Sequence, residues 1–405
     1  MRANEYQVRA EAPDLDPELE LEEDEDDGAD HELQVGRFQA LLADRRRLLT
    51  GVLLLGLIVV AIYVLFPKLV GFDDAVAKLD DANWIWLAVA VAFNVVAFIA
   101  YVALFRGVLA GRRDDAVQRR LDLKASYQIT MAGLAATRIF SAAGAGGVVL
   151  SYWALRKAGM PRRRSACRMV AFLVLMYSVY TLALIIFGVL LRTGVLPGDD
   201  PFGGTVVPAI VAAAMMAVFL LIALIPDDLE RRMGRFPAGS RGKRYLTRFA
   251  KGPATVASGV RTAIDYVRHP RRGALAVGGA VGFWAANIAV LWASFKAFGG
   301  SPSLGVLVQG FFVGMAANLI PSPAGGVGSV DAGMIGAFVL FGLPTSIVFP
   351  AVLAYRVIAF WLPIPPGIVA FVQLRKTVAR WERERSEARA TRGYTSESKV
   401  RAEAT

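Results

Sequence analysis

Residues Gly133 to Leu150 read GLAATRIFSAAGAGGVVL, and residues Gly314 to Asp331 read GMAANLIPSPAGGVGSVD. Laid over one another without gaps at an offset of 181, the stretches agree at nine of eighteen positions, including Gly133/Gly314, Ser141/Ser322, Gly144/Gly325 and Gly147/Gly328. Each is soon followed by a similar tripeptide, Gly159-Met160-Pro161 and Gly342-Leu343-Pro344. Both lie in apolar surroundings, where clustered glycine, joined in the second copy by Pro321 and Pro323, interrupts a helix. Close helix packing explains scattered glycines such as Gly278 and Gly279. It does not explain two prolines and a glycine cluster within the eight residues from Pro321 to Gly328.

The chain around these breaks is a membrane protein by composition. Its 405 residues are 55% hydrophobic, above the roughly 45–50% of soluble domains, and their mean hydropathy is +0.47. Stretches such as Leu48 to Phe66 and Met169 to Leu191 reach the ~20 residues needed to cross a ~30 Å hydrocarbon core. Further spans are expected at about Trp84 to Phe105, Thr205 to Ile225, Ala274 to Phe298 and Ser346 to Val372. The class expected is an all-α polytopic membrane protein with six full spans and two re-entrant or broken helical hairpins.

Loop charge orients the segments. The net charge of +11 conceals a leader, residues 1–35, with fourteen acids and two arginines. Such a segment cannot bury a core and reads as a disordered tail over residues 1–44. Arg45 to Arg47 precede the first span, and Arg112, Arg113, Arg119 and Arg120 follow the second, so the positive-inside rule puts both on the cytoplasmic side. Arg156, Lys157 and Arg162 to Arg164 close the first interrupted segment on that same side, as a re-entrant hairpin or two short spans require. Asp199 and Asp200 suit the outside. Residues 227–272 hold twelve Lys or Arg against four acids, a basic cytoplasmic loop with a short amphipathic helix bearing Tyr245, Phe249, Val260 and Ile264. The basic tail from residue 373 to 405 is again inside. Three spans separate the two breaks, so the copies enter from opposite faces. This makes an inverted repeat, with halves at about 45–200 and 201–372, of the kind that transporters use to alternate access.

Ionisable residues at membrane depth cost roughly 2.5–3.5 kcal/mol on insertion scales and mark candidate sites. Arg138 precedes the first break, Asp331 follows the second, and Arg356 lies mid-way along the last span beside Tyr355. The arginines suit a lipid phosphate. Asp331 suits a proton, a cation or a polar headgroup, or it neutralises Arg138 or Arg356 in a structural ion pair. Asn318 caps freed backbone groups or lines a cavity, and Ser141 and Ser322 do either. Pro321, Pro323, Gly325, Gly326 and Gly328 complete the candidate substrate-binding set. A single cysteine, Cys167, and two histidines, His31 and His269, leave no multi-cysteine metal site and no Ser-His-Asp triad. No nucleophile or metal cluster points to an enzyme, no ATP motif to a driven pump, and nothing to a cofactor or a nucleic-acid partner.

With these residues in place, the chain from about Arg47 to Val372 resembles the transmembrane region of lysylphosphatidylglycerol synthases, the flippase-like family. Asn318-Leu-Ile-Pro321-Ser-Pro323-Ala-Gly325-Gly326-Val-Gly328 is similar to that family's Pro-x-Pro followed by Gly-Gly-x-Gly. Tyr355-Arg356, Leu362-Pro363-Ile364 and Gly367 resemble its closing span. The family usually has Glu where this chain has Asp331, and Phe140 to Gly147 lacks the family's first-half proline and carboxylate. Only about 30 polar residues follow Val372, so the soluble synthase domain of bifunctional members is not expected here. The resemblance implies a flippase for a phospholipid or lipid-linked headgroup in a bacterial cytoplasmic membrane. The alternative is a non-transporting scaffold or lipid-presenting subunit for a separate glycosyl- or aminoacyl-transferase.

Overall fold

Helices account for every regular element among the residues that the computed structural model describes, which are 82–109, 116–139, 145–225, 240–319 and 326–403. The acidic leader, the expected span Leu48 to Phe66, and Ser141, Pro321, Ser322, Pro323 and Gly325 lie outside the described residues. In chain order the helices are α1 (Trp84–Leu109), α2 (Ala116–Arg120), α3 (Leu123–Ile139), α4 (Ala145–Ala158), α5 (Arg162–Arg192), α6 (Phe202–Ala223), α7 (Ser240–Arg268), α8 (Pro270–Ala297), α9 (Leu304–Met315), α10 (Ser329–Leu340), α11 (Thr345–Arg356) and α12 (Ile364–Glu403). All-helical backbone is what lipid demands, since each peptide group must find its partner within the segment.

Five stretches are long and apolar enough to cross a membrane: α1, α5, α6, α8 and the run from α11 into α12. They coincide with five of the six expected spans. The 26 residues of α1 extend about 39 Å at 1.5 Å per residue, enough for a ~30 Å core. The helices of the interrupted segments are shorter. α9 and α10 have 12 residues each and reach only about 18 Å, while α3 with 17 and α4 with 14 reach about 26 and 21 Å.

These short helices pair antiparallel. A Cβ on Gly147 would stand 2.6 Å from the Gly133 carbonyl oxygen, and one on Gly146 3.0 Å from that of Ala136, so α3 and α4 touch backbone to backbone. In the second pair a Cβ on Gly314 would stand 2.5 Å from the Met334 Cα, and one on Gly333 2.5 Å from the Ala317 Cβ. Each interrupted segment is therefore a hairpin held by glycine contact, entering and leaving at one end.

The two hairpins open at opposite ends of the bundle. At the first end, Arg385 Nη2 of α12 donates to the Lys157 carbonyl at 2.6 Å, Lys157 pairs with Glu382 at 2.8 Å, and Gly259 of α7 rests on Val170 and Cys167 near the start of α5. Tyr266 of α7 joins this end to α1: its hydroxyl donates to the Val108 carbonyl at 3.0 Å and accepts from Arg168, which also donates to Val108. Burial pushes the Tyr266 phenol pKa up, against the neighbouring Arg168 charge. At the opposite end, Asn83 N donates to the Ala297 carbonyl at 2.9 Å. Gly198, Ser303 and Phe341 line one cavity there, beside the ends of α9 and α10.

Between the ends, aromatic rings from α5, α8 and α9 form the core around Trp284, which lies 5.7 Å from Tyr180 and 5.4 Å from Phe312. Their polar tips find partners: Tyr180 donates to the Phe312 carbonyl at 2.6 Å and Trp284 Nε1 to that of Met176 at 3.0 Å. Small residues bring α1 and α8 together, where Gly107 meets the Ala276 backbone and Gly279 that of Leu104. Gly278 faces open space instead, so helix packing accounts for Gly279 and not for its neighbour.

Three expectations need revision. The amphipathic helix of the basic loop is 29 residues long rather than short, and it buries Val260 and Tyr266. The basic tail continues as helix to Glu403. The last span is broken: α11 ends at Arg356, a π turn covers Val357–Trp361, and α12 begins after Pro363.

Candidate functional site

That break in the last span organises the centre of the molecule. The Leu362 amide reaches back five residues to the Val357 carbonyl at 2.9 Å, which is the π pairing. Pro363 has no N–H to offer either the Ala359 carbonyl four residues back or the Ile358 carbonyl five back. Buried carbonyls need donors, and two side chains supply them. Asn94 Nδ2 of α1 donates to Ile358 at 2.8 Å. Arg138 Nη2, in the last turn of α3, donates to Ala359 at 2.8 Å.

The second hairpin arrives from the other side. Gly328 adopts φ +85°, a left-handed conformation that suits glycine, and α10 starts behind it. Asp331, in the first turn, accepts from the Gly328 amide through Oδ2 at 2.8 Å, where a negative charge also meets the positive end of the helix dipole. Its other oxygen, Oδ1, lies 2.6 Å from Arg356 Nε, with the two side chains 12% and 5% exposed. Arg356 Nη2 further donates to the Gly326 carbonyl at 3.2 Å. The ion pair thus forms with Arg356 and not with Arg138.

Phe360 lies between the two arginines. The Arg356 guanidinium carbon stands 4.3 Å from its ring centroid and that of Arg138 5.5 Å, both within the ~6 Å reach of a cation–π contact. The last turn of α3 and the start of α10 therefore converge on one stretch of the last span, Arg356 to Phe360. The charges there are unequal. Arg356 is neutralised by Asp331, whereas Arg138 has no carboxylate partner among the described residues and its buried Nη1 has no hydrogen-bond partner.

Of the expected site residues, the structure brings together Arg138, Gly326, Gly328, Asp331 and Arg356. Tyr355 is adjacent but buried, with its ring 5.8 Å from that of Phe311 in the core. Asn318 is exposed and makes no hydrogen bond among the described residues, and Asp331 caps the Gly328 amide. In the first hairpin Thr137, overlooked in the sequence, does that work: its Oγ1 accepts from the Gly147 amide at 2.9 Å and donates to the Gly133 carbonyl at 2.9 Å. Gly147 and Gly328 are equivalent positions in the duplicated stretch, and Thr137 aligns with Asn318. Each hairpin thus caps the same amide, one with a hydroxyl from the incoming helix and one with a carboxylate from the outgoing helix. That explains why the first copy does without a carboxylate. Asn94 and Phe360 carried no signal in the sequence, because an amide and a phenylalanine in apolar helices read as ordinary core.

A family model described as the lysylphosphatidylglycerol synthase TM region matches residues 53–367. A UPF0104 membrane protein of Methanothermobacter thermautotrophicus is 22% identical over 338 residues, which cover 81% of this chain and 96% of that protein. A second match of the same name and organism is 29% identical over 86 residues, spanning 21% of this chain and 26% of its relative.

Proposed function

The chain belongs to the lysylphosphatidylglycerol synthase TM region family, and from that premise we propose that this multi-pass membrane protein is a lipid flippase. It moves a phospholipid or a lipid-linked headgroup across the membrane and does no covalent chemistry on it. The observation that carries this reading is the unequal charge where the end of α3 and the start of α10 meet the last span. The Asp331–Arg356 pair is neutral as a unit, so among the described residues that meet there Arg138 leaves one net positive charge at membrane depth. An arginine so placed is expensive unless something anionic visits it, and a lipid phosphate has the geometry its guanidinium prefers.

The architecture supplies a route in this reading. The two halves form an inverted repeat, supported by the nine identities in eighteen positions and by hairpins that open at opposite ends. Rocking one half against the other exposes Arg138 to each face in turn. The end that gathers Lys157, Arg168 and α7 is the cytoplasmic one by the positive-inside rule, with both termini on that side. The membrane is the cytoplasmic membrane of the cell.

Reconstitution tests this. Liposomes carrying the protein and fluorescent headgroup-labelled phospholipids are treated with a membrane-impermeant quencher, and protected label is followed over time. Transport reads as label becoming accessible faster than in empty liposomes. If none of a panel of anionic, zwitterionic and aminoacylated lipids moves, the flippase reading fails and a scaffold for a separate transferase takes its place.

A further inference from the structure

We propose that the cavity at the end of the bundle opposite the basic loops binds a phosphoethanolamine-type zwitterion, a phosphate and an ammonium joined by a short linker. The cavity measures about 350 Å³ and is open to the surface. Asp199, Ser301, Ser303, Phe341, Pro344 and Ile347 are among the residues that line it. A positive charge borders it through Ser301, one of its lining residues. Lys296 Nζ donates to Ser301 Oγ at 2.7 Å and has no carboxylate partner among the described residues. α9 and α11 also start beside it, behind Ser303 and Pro344, adding the positive ends of two helix dipoles to the lysine charge.

A negative charge lines it as well. Asp200 is taken by Arg192 at 2.9 Å, but Asp199 pairs with no cation among the described residues. Its Oδ2 presses against Gly342, whose φ of +78° and missing Cβ make room for it. A plain anion entering the cavity meets Asp199, and a plain amine meets Lys296, so neither sign alone is matched. A molecule carrying both, with its phosphate toward Ser301 and its ammonium toward Asp199, meets both charges at once. Phe341 and Ile347 give an apolar surface for the carbon linker.

The binding claim stands without the transport reading and relies on it only for a place in a cycle, as the subsite where a headgroup enters or leaves. Calorimetric titration of the full-length protein in phosphatidylglycerol nanodiscs tests it, with glycerophosphoethanolamine and glycerophosphoglycerol as soluble probes. Glycerophosphoethanolamine is expected to bind about three- to fivefold more tightly, the effect of one exposed ion pair. Asp199→Asn removes that preference, Asp199→Glu keeps it, and Lys296→Met weakens both probes. Absence of saturable binding overturns the proposal, as does a preference that survives Asp199→Asn in a variant with unchanged melting behaviour. In nanodiscs containing phosphatidylethanolamine, loss of soluble-probe binding identifies the lipid headgroup as the occupant, and undiminished binding identifies the free compound. Transport lost at Arg138 with this binding intact separates the two readings, and so does the converse.

Discussion

Replacing Asp331 by asparagine probes the contact on which the second hairpin depends. The introduced amide side chain keeps an oxygen for the Gly328 N–H, which Oδ2 accepts at 2.8 Å in the native protein, so the cap survives. The charge opposite Arg356 Nε at 2.6 Å is lost. Arg356 is 4% exposed, and stranding a buried charge by removing its partner costs about 3–5 kcal/mol. Part of this is offset by the Gly326 carbonyl and the Phe360 ring, which the guanidinium keeps, so a loss of about 3 kcal/mol is expected. Asp331→Ala also gives up the cap, adding ~0.5–2 kcal/mol. The double variant Asp331→Asn/Arg356→Met removes both charges and is expected to be more stable than Asp331→Asn alone, because a neutral pair has no stranded charge. Denaturant titration of the detergent-solubilised protein, followed by tryptophan fluorescence, measures all of these against wild type and Arg356→Met. The reasoning is refuted if Asp331→Asn stays within about 0.5 kcal/mol of wild type, or if the double variant loses the sum of the two single losses.

Thr137→Val removes the acceptor of the Gly147 amide and should destabilise the first hairpin by about 1 kcal/mol, read as faster hydrogen exchange at Gly147, whereas Thr137→Ser restores protection. Gly279→Ala drives a methyl into the Leu104 backbone and should cost about 1–3 kcal/mol. Gly278→Ala, with nothing within 4 Å of the added carbon, should be neutral or stabilise by up to ~1 kcal/mol through helix propensity. Equal melting temperatures for these two alanine variants would contradict the packing of α1 on α8.

What could be read in the sequence follows from which forces act locally. The spans were legible because length and apolarity alone satisfy lipid, and α1, α5, α6 and α8 fall where hydropathy puts them. The two interruptions were legible because clustered glycine, joined in the second copy by two prolines, disfavours helix where single residues such as Pro208 and Gly279 do not break one. The partner of Asp331 was not legible. Arg138 and Arg356 were equal candidates, and the choice depends on where the tip of α10 meets α11, which no local pattern encodes. The π turn escaped notice although Pro363 was in view, because a proline in a span is tolerated whenever other side chains meet the freed carbonyls. Here those chains are Asn94 and Arg138, distant in sequence by more than two hundred residues. The length of α12 was missed because a run such as Trp381-Glu-Arg-Glu-Arg-Ser reads equally as solvated tail. The contacts of Arg385 with the Lys157 carbonyl, of Lys157 with Glu382 and of Arg120 with Glu384 at 3.8 Å show that it docks.

The central claim is that Arg138 supplies the one net charge that receives a lipid phosphate, and lipid translocation by Arg138 variants in liposomes tests it most directly. Arg138→Lys keeps the charge and loses the fork, and is expected to retain partial transport. Arg138→Gln keeps a donor for the Ala359 carbonyl without the charge, and is expected to slow transport at least about tenfold, the ~1.4 kcal/mol equivalent of one charge-assisted hydrogen bond, with melting temperature near wild type. Transport by Arg138→Gln at the wild-type rate would show that the arginine only caps the broken span and that no phosphate is held there.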